Sequence, residues 1–562
     1  MSSSKSRPRG VLFKRASSRL SAACRILSLD SIGASWARVF AESNSLRRER
    51  RNHPLRPLFD RLEITDRNLK RQRQILWCYV SIYVLSWTVL TFLANTTVPG
   101  GDAMEAFIWA ANLDWGTPRS GWLVGLAMYP AMFFKSIAGR SLYWYFAHFA
   151  GVGIGMVGVW KLALRLTNST RLAWLAVVAL NLNVAISTDA QNQNDNYLLI
   201  MLWPWLLYFF IRAGFDNSRF WLPFAVMAGL ATMAKYSTLA FVWSVFVLTL
   251  ITPVLRCSYR QPPFYLAIAL FFLIVTPNFI WLWHHDFVAI HWFSDDAQKG
   301  FAPSTILATI VTFISVLLPS LALCLMGAKF RWPSIQAARI AITCLLLPLT
   351  PIFSYLIFFA PSNGRAAEWI RPFGILGPPL FVACICKLPT LAFRNVFAFL
   401  IGTGCMIFVG YGATKGFNFR DTYHRGSGAA TVGAKAQELW RVRYDSPLYY
   451  VGGSNIANMA TFYASDFPAI LQAWSSSRQP NVFTRNLQAS EVRQRGALLM
   501  GNPGVPCVEA DFSDTLRSWP GMRIDELKEI TYSDSPSSPK QSLCIAFVAP
   551  RSETAKDPGG FG

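Results

Sequence analysis

The chain has 562 residues, of which 53% are hydrophobic, 14% aromatic and only 15% charged, too apolar for an ordinary soluble protein of this size. Its net charge of +23 invites a nucleic-acid reading, but much of the excess falls in the first 74 residues and in short connections between apolar runs, the pattern of a membrane orientation signal. Composition therefore excludes a soluble globular protein and a nucleic-acid partner, and points to a polytopic membrane protein.

Residues 1–74 are rich in Arg and Ser, with the run RRERR at 47–51, and carry no apolar core of a cleavable signal peptide. They read as a basic, partly disordered cytoplasmic arm. A first span is expected from about Ile75 to Leu93. It follows Lys70, Arg71 and Arg73, so its start faces the cytoplasm. The segment from Pro99 to Trp122, which carries Asp102, Glu105 and Asp114, then lies outside. The apolar stretch from Trp122 to Ile137 is short. Counting it as a span would move Lys161, Arg165 and Arg171 outside, so it is read as interfacial.

The next spans are expected at about Leu142 to Leu164, Leu172 to Ser187 and Leu198 to Phe210. The chain then alternates: outside near Lys235, inside at RCSYR, outside at HHDFVAIHW, inside at AKFRW, outside at PSNGRAAEWIRP, inside near Lys387 and Arg394, and outside after Tyr411. The total is about eleven transmembrane helices over residues 75–411. Residues 412–562 then form a small extracytoplasmic α/β domain. PLYYVGG, ALLMG and CIAFVA read as strands, NIANMATFYA as a helix, and SDSPSSPKQS as a loop before the last strand. Gly452-Gly453 follows a strand without a full G-x-G-x-x-G, a weak nucleotide signal. The ten cysteines show no C-x-x-C pair and no histidines at metal spacing. Cys507 and Cys544 can join as a disulfide if their region is extracytoplasmic.

With this orientation the unusual polar residues gather on the outer side: Asp102, Glu105, Asp114, Asp189, Asp195, Lys235, His284, His285, Asp286, His291, Arg365, Glu368 and Arg371. Lys235 lies between GLATMA and YSTLAFVW, where an unpaired charge at mid-bilayer depth costs roughly 2.5–3.5 kcal/mol. It needs a carboxylate or a phosphate beside it, or must snorkel. Carboxylates with cations at an outer membrane face suit attack by an acceptor hydroxyl on a sugar whose leaving group is a lipid phosphate. A carboxylate removes the proton, and Lys and Arg neutralise the phosphate. Other readings stand beside this one: Glu105, Asp114 and Asp189 as solvated or helix-capping acids, and His284 and His285 as interfacial anchors instead of ligand contacts. Phosphate-loop, Ser-His-Asp and zinc-ligand patterns are absent.

GDAMEAFIWAANLDWG at 101–116 resembles the first outer loop of the glycosyltransferase C membrane enzymes, the bacterial relatives of protein O-mannosyltransferases and of lipid A aminoarabinose transferases. NDNYLLIMLWPWLLYFFIRA, GLATMAKYSTLAF, PNFIWLWHHDF and EWIRP are similar to later segments of that family, in the same order. The resemblance implies Asp102 as catalytic base, Asp195 as the second-loop acid near the active site, and Lys235 as the lysine of the lipid phosphate. The chain also departs from the family pattern. Ala103 stands where the family has a second acid, with Glu105 as its substitute. Thr117-Pro118-Arg119-Ser120 replaces His-Pro-Pro, and Asn196-Tyr197 replaces a small residue and proline.

The resulting expectation is an inverting transferase in the bacterial inner membrane, with its N-terminus cytoplasmic and its C-terminal domain periplasmic. Asp102, Asp195 and Glu105 form the catalytic set, and Lys235, Arg365 and Arg371 bind the donor phosphate. His284, His285, Asp286, Arg119 and Trp369 are candidate substrate contacts. The partners are a polyprenyl-phosphate-linked sugar and a lipid or glycan acceptor, with a protein hydroxyl also compatible. No metal ligands are assigned: carboxylates beside a phosphate suit a divalent cation, and the cationic side chains suffice without one. The rival readings are a transporter or flippase of lipid-linked sugars, which would line a path with polar residues from both sides, and a non-catalytic relative that binds such lipids.

Overall fold

The computed structural model describes residues 66–95, 102–117, 119–192, 195–285, 287–297, 303–325, 329–358, 370–387, 390–417, 427–471, 489–519, 521–533 and 539–551. The chain divides into two units, Met1–Gln72 and Arg73–Gly562. The basic arm up to residue 65 lies outside the described residues, and the helices and sheet from Arg73 onward belong to the second unit.

Among the described residues, five helices are long and apolar enough to cross a membrane: Leu69–Ala94, Ile137–Thr167, Asn196–Phe215, Pro262–His284 and Ala392–Thr414. A sixth is added if Thr238–Ile251 and Pro253–Arg260, bent by 94° at their junction, count as one span. Pro253 opens the second piece, where a proline cannot continue the preceding helix's hydrogen-bond ladder. The chain is thus a multi-pass membrane protein. Pro303–Leu325 and Gln336–Phe358 are helices of 23 residues, while other expected spans are shorter, as at Leu172 to Ser187, where the reason is local. The run expected at Leu172 to Ser187 is helical from Thr170 to Ala179 and tightens to a 3-10 turn at Leu180–Leu182. It breaks there because Asn183 accepts from the Ala185 amide through its side chain and from Ser187 through its carbonyl. The stretch read as interfacial is a six-residue α-helix, Leu123–Met128, followed by a five-residue 3-10 turn, Tyr129–Phe133, well short of the ~20 residues a span needs.

Ile137–Thr167 is the centre of the bundle. Ser136 caps its start by accepting from the Gly139 amide, and Asn168 ends it in the left-handed conformation. Its Gly151, Gly155 and Gly158 face Asn196–Phe215 so closely that a Cβ on Gly155 would lie 2.3 Å from the Ile200 carbonyl oxygen. Small residues at this spacing let two membrane helices approach backbone to backbone. The first span closes against the last, with Trp87 packed on Phe408 and Tyr411 at 5.1 and 5.7 Å between ring centroids.

Two short strands, β1 (Lys329–Phe330) and β2 (Ile385–Lys387), pair antiparallel. The C-terminal region holds a five-stranded sheet: β3 (Tyr450–Gly453), β4 (Ala469–Leu471), β5 (Ala497–Met500), β6 (Glu526–Tyr532) and β7 (Gln541–Val548), in the order β4-β3-β5-β7-β6. β3 is parallel to β4 and β5, while β7 is antiparallel to β5 and β6. The expected strands and the NIANMATFYA helix are present, the latter as Asn455–Tyr463. β5 is buried along its whole length, as a continuous apolar run in mid-sheet should be. β4 and β6 carry weaker sequence signals, because both are edge strands and β6 reads ELKEITY, with its charges outward. Residues 534–538 of the expected loop lie outside the described residues. The Gly452-Gly453 pair has a backbone explanation. Gly453 has φ +100°, and a Cβ there would stand 2.1 Å from the Met500 carbonyl oxygen of β5.

Cys507 and Cys544 form a disulfide across 37 residues. Replacing both by serine is expected to destabilise the sheet region by about 2–4 kcal/mol, read as earlier unfolding of that region by limited proteolysis under denaturant.

The sheet region packs on the segment after the first span. Phe462 of the Asn455–Tyr463 helix packs on Phe107 of the Asp102–Asn112 helix, with ring centroids 4.6 Å apart and the rings tilted by 44°. The Arg140 guanidinium lies over the Phe467 ring. The carboxylate-bearing segment is therefore clamped between the bundle and the C-terminal region.

Candidate functional site

The loop after the first span opens with the helix Asp102–Asn112. Phe107, Ile108, Trp109 and Ala110 are buried in it. Leu113, with φ 48°, ends it by leaving the helical region. Asp102 is its first residue, and the Asp102 side chain lies outside the described residues. Glu105, one turn on, accepts from Arg119 Nη1 at 3.2 Å. Glu105, which shares the loop with Asp102, is thus held by Arg119.

Thr117 and Ser120 close a turn. Gly116 and Gly121 bridge across it. The Thr117 amide and hydroxyl both donate to the Ser120 carbonyl at 2.9 Å, and the Ser120 amide donates back to Thr117 Oγ1 at 2.9 Å. Both flanking glycines are required by close approach. A Cβ on Gly116 would lie 2.4 Å from the Trp281 ring, and one on Gly121 would lie 2.7 Å from Met233 Cα and its carbonyl oxygen. Since Met233 presents backbone there, Gly121→Ala is expected to cost about 1–3 kcal/mol, read as a lower Tm of the purified protein.

Ser120 is fully buried, and its hydroxyl donates to Asp195 Oδ2 at 2.8 Å. Lys235 Nζ donates to Asp195 Oδ1 at 3.0 Å and to Asn196 Oδ1 at 2.8 Å. Asp195 stands at the N-cap of Asn196–Phe215 yet makes no side-chain cap hydrogen bond. Its two oxygens go instead to Ser120 and Lys235. Lys235 is presented by a helix break. Trp221–Ala234 ends at Lys235, whose backbone turns extended, and the next helix begins at Thr238. The pair is largely desolvated, with side chains 18% and 7% exposed for Lys235 and Asp195. The largely buried cation has thus found a carboxylate.

The residue after the lysine extends the network. The Tyr236 hydroxyl donates to the Ser120 carbonyl at 3.1 Å. Asn278 Nδ2 donates to the Tyr236 oxygen at 3.1 Å and to the Trp115 carbonyl at 2.8 Å. Four segments thus converge on one turn: the loop, the N-terminus of Asn196–Phe215, the break at Lys235 and the Pro262–His284 helix. Around it, the Tyr197 hydroxyl and the indole N–H groups of Trp109, Trp122 and Trp281 are buried without a hydrogen-bond partner among the described residues. Such donors are costly unless a ligand or water meets them.

The remaining sequence candidates divide. Arg371 pairs with Asp189 at 2.9 Å. His285 is buried, 2.6 Å from the Trp281 carbonyl through Nδ1 and stacked on the Trp281 ring at 4.1 Å. His284 is exposed at the end of the same helix. Asp286, Arg365, Glu368 and Trp369 lie outside the described residues. Among the described residues, no group of three or more His, Cys, Asp or Glu side chains could hold a metal ion. Sequence reasoning did not assign Ser120, Tyr236 and Asn278 to the site. All three lie in segments singled out for the resemblance or for departing from it, but a hydroxyl or an amide carries no signal of its own there.

Residues 116–281 match the family described as dolichyl-phosphate-mannose-protein mannosyltransferase. That interval holds Ser120, Asp195, Lys235, Tyr236 and Asn278, while Asp102 and Glu105 precede it. The ArnT structure from Cupriavidus metallidurans bound to undecaprenyl phosphate superposes with a TM-score of 0.54 at 13% identity, over 84% of this chain and 98% of that one. The chain shares its fold with that structure. The apo structure of the same ArnT matches with a TM-score of 0.52 at 13% identity, over the same 84% and 98%. No curated protein sequence matches. Within this chain the residues that depart from the family pattern contact one another or the residues that match it: Glu105 with Arg119, Ser120 with Asp195, and Asn196 with Lys235.

Proposed function

We propose that the chain is a glycosyltransferase that moves a sugar from a polyprenyl-phosphate carrier to an acceptor hydroxyl at the extracytoplasmic face of a bacterial inner membrane, with inversion at the anomeric carbon. The observation that carries this reading is the desolvated Asp195–Lys235 pair, held at a helix break and joined directly to the loop that bears Asp102. An ammonium at that depth is suited to the phosphate of a lipid carrier, which reaches the site from the membrane while a polar acceptor reaches it from water. ArnT from Cupriavidus metallidurans, whose fold this chain shares, binds undecaprenyl phosphate, and the same lipid phosphate is the proposed leaving group here.

In the proposed mechanism Asp102 removes the acceptor hydroxyl's proton as the oxygen attacks the anomeric carbon. The bond from that carbon to the phosphate oxygen breaks, and Lys235 with Arg365 and Arg371 stabilises the phosphate charge that develops. Asp195 orients a sugar or acceptor hydroxyl while keeping the lysine protonated and in place, and Glu105 with Arg119 shapes the acceptor side. The partnerless indole and phenol donors around the turn suit an oxygen-rich ligand. The membrane domain comprises about eleven spans over residues 75–411, with residues 412–562 as a periplasmic α/β domain and residues 1–74 in the cytoplasm. Two observations support that sidedness. The C-terminal sheet region packs on the Asp102–Asn112 helix, so both lie on one side of the membrane. The Cys507–Cys544 disulfide in that region belongs to an oxidising compartment.

The test is purified full-length protein given a panel of undecaprenyl-phosphate-linked sugars with lipid A, core oligosaccharide and glycan acceptors, followed by mass spectrometry. Acceptor-dependent release of undecaprenyl phosphate with a glycosylated product is expected. Movement of the lipid-linked sugar across vesicles without any product would overturn the reading in favour of a flippase.

A further inference from the structure

We propose that Ser120 is a positioning residue which fixes the rotation of the Asp195 carboxylate and so aims Lys235 at the phosphate of a polyprenyl-phosphate lipid. This rests on the donor-phosphate reading above and adds the residue that makes the lysine's geometry unique. Asp195 has a helical backbone at the start of Asn196–Phe215 and makes no side-chain cap hydrogen bond, so its own helix does not fix the carboxylate. One oxygen accepts from Ser120 Oγ at 2.8 Å and the other from Lys235 Nζ at 3.0 Å. A hydroxyl has one proton to donate, and Ser120 commits it to the carboxylate.

Ser120 can act as a fixed reference because its backbone is held independently of Asp195. Thr117 closes the turn on the Ser120 carbonyl, Tyr236 donates to the same oxygen, and Asn278 ties Tyr236 to the Trp115 carbonyl. Gly121, the next residue, is pressed against the Met233 backbone. The turn therefore cannot follow the carboxylate if it rotates; the carboxylate must follow the turn. Lys235 then reads out the result. Its ammonium carries three N–H groups. Asp195 and Asn196 take two of them among the described residues, and with two directions set, the third is set as well. That third N–H is the one the lipid phosphate uses. Without the Ser120 hydroxyl the carboxylate is free to rotate about its side-chain bonds. The lysine then follows Asp195 and meets the phosphate in a poorer direction.

The experiment compares Ser120→Ala with wild type, both as full-length protein in nanodiscs. Direct binding of undecaprenyl phosphate by native mass spectrometry gives Kd, and initial rates with the transferred donor give KM and kcat. For Ser120→Ala, Kd for undecaprenyl phosphate and donor KM are expected to rise about tenfold, the size of a lost hydrogen bond to a charged group, with kcat within about twofold of wild type. Tyr236→Phe, which removes the brace on the Ser120 carbonyl and the oxygen that accepts from Asn278, is expected to shift Kd in the same direction by a smaller factor. A Ser120→Ala protein with a lowered Tm but wild-type Kd and KM overturns the proposal, because the hydroxyl then serves stability alone. If Ser120→Ala does not fold, an unchanged Kd in Tyr236→Phe overturns it. Failure of the parent reading looks different: there the wild-type protein itself neither binds undecaprenyl phosphate nor releases it from any donor.

Discussion

Lys235→Ala is expected to reduce sugar transfer by at least about 10² in kcat/KM, since removing one preorganised donor from a developing anion typically costs 10²–10³. It also leaves Asp195, whose side chain is 7% exposed, as a buried carboxylate without its cation. Breaking a buried pair on one side costs about 3–5 kcal/mol, whereas replacing both partners by neutral groups is far milder. The double variant Lys235→Met with Asp195→Asn is therefore expected to recover most of the lost Tm while remaining inactive. Measuring kcat/KM and Tm on both proteins separates the two roles. Transfer near wild-type level in a folded Lys235→Ala protein would remove the lysine from the phosphate site.

Asp102→Asn is expected to lower kcat by about 10²–10⁴, the usual contribution of a positioned general base, with Tm and lipid-phosphate binding unchanged. Glu105→Gln should behave differently. Glu105 is bonded to Arg119, so its loss should loosen the loop and raise the acceptor KM more than it lowers kcat. Single-turnover rates with preloaded donor isolate the chemical step. Full activity in Asp102→Asn, or a larger kcat loss in Glu105→Gln than in Asp102→Asn, would move the base assignment to Glu105.

Much of the architecture is legible in the residues alone, for reasons of length and period. An apolar run of membrane length is unambiguous, and the first span appears as the long helix Asp66–Ala94. The strands at PLYYVGG, ALLMG and CIAFVA are buried apolar runs of the right length and are found as β3, β5 and β7. Pieces that depart from expectation are those where side chains compete with the backbone, such as Asn183, which ends the helix at Leu182 well before Ser187. Edge strands β4 and β6 are hidden because an edge need not be apolar.

The site divides along the same line. Sequence by itself determined that the chain is a membrane protein, that its acids and Lys235 sit at the ends of apolar segments, and that ordered motifs resemble the glycosyltransferase C group. Each of these follows from composition or from residues near one another in the chain. Only the tertiary structure decided that Lys235 pairs with Asp195 across 40 residues and that Ser120 reaches Asp195 across 75. It also showed that Arg119, the most conspicuous departure, closes on Glu105. No local period encodes such pairings. They exist because a desolvated charge must find its partner wherever the packed helices bring one within about 3 Å.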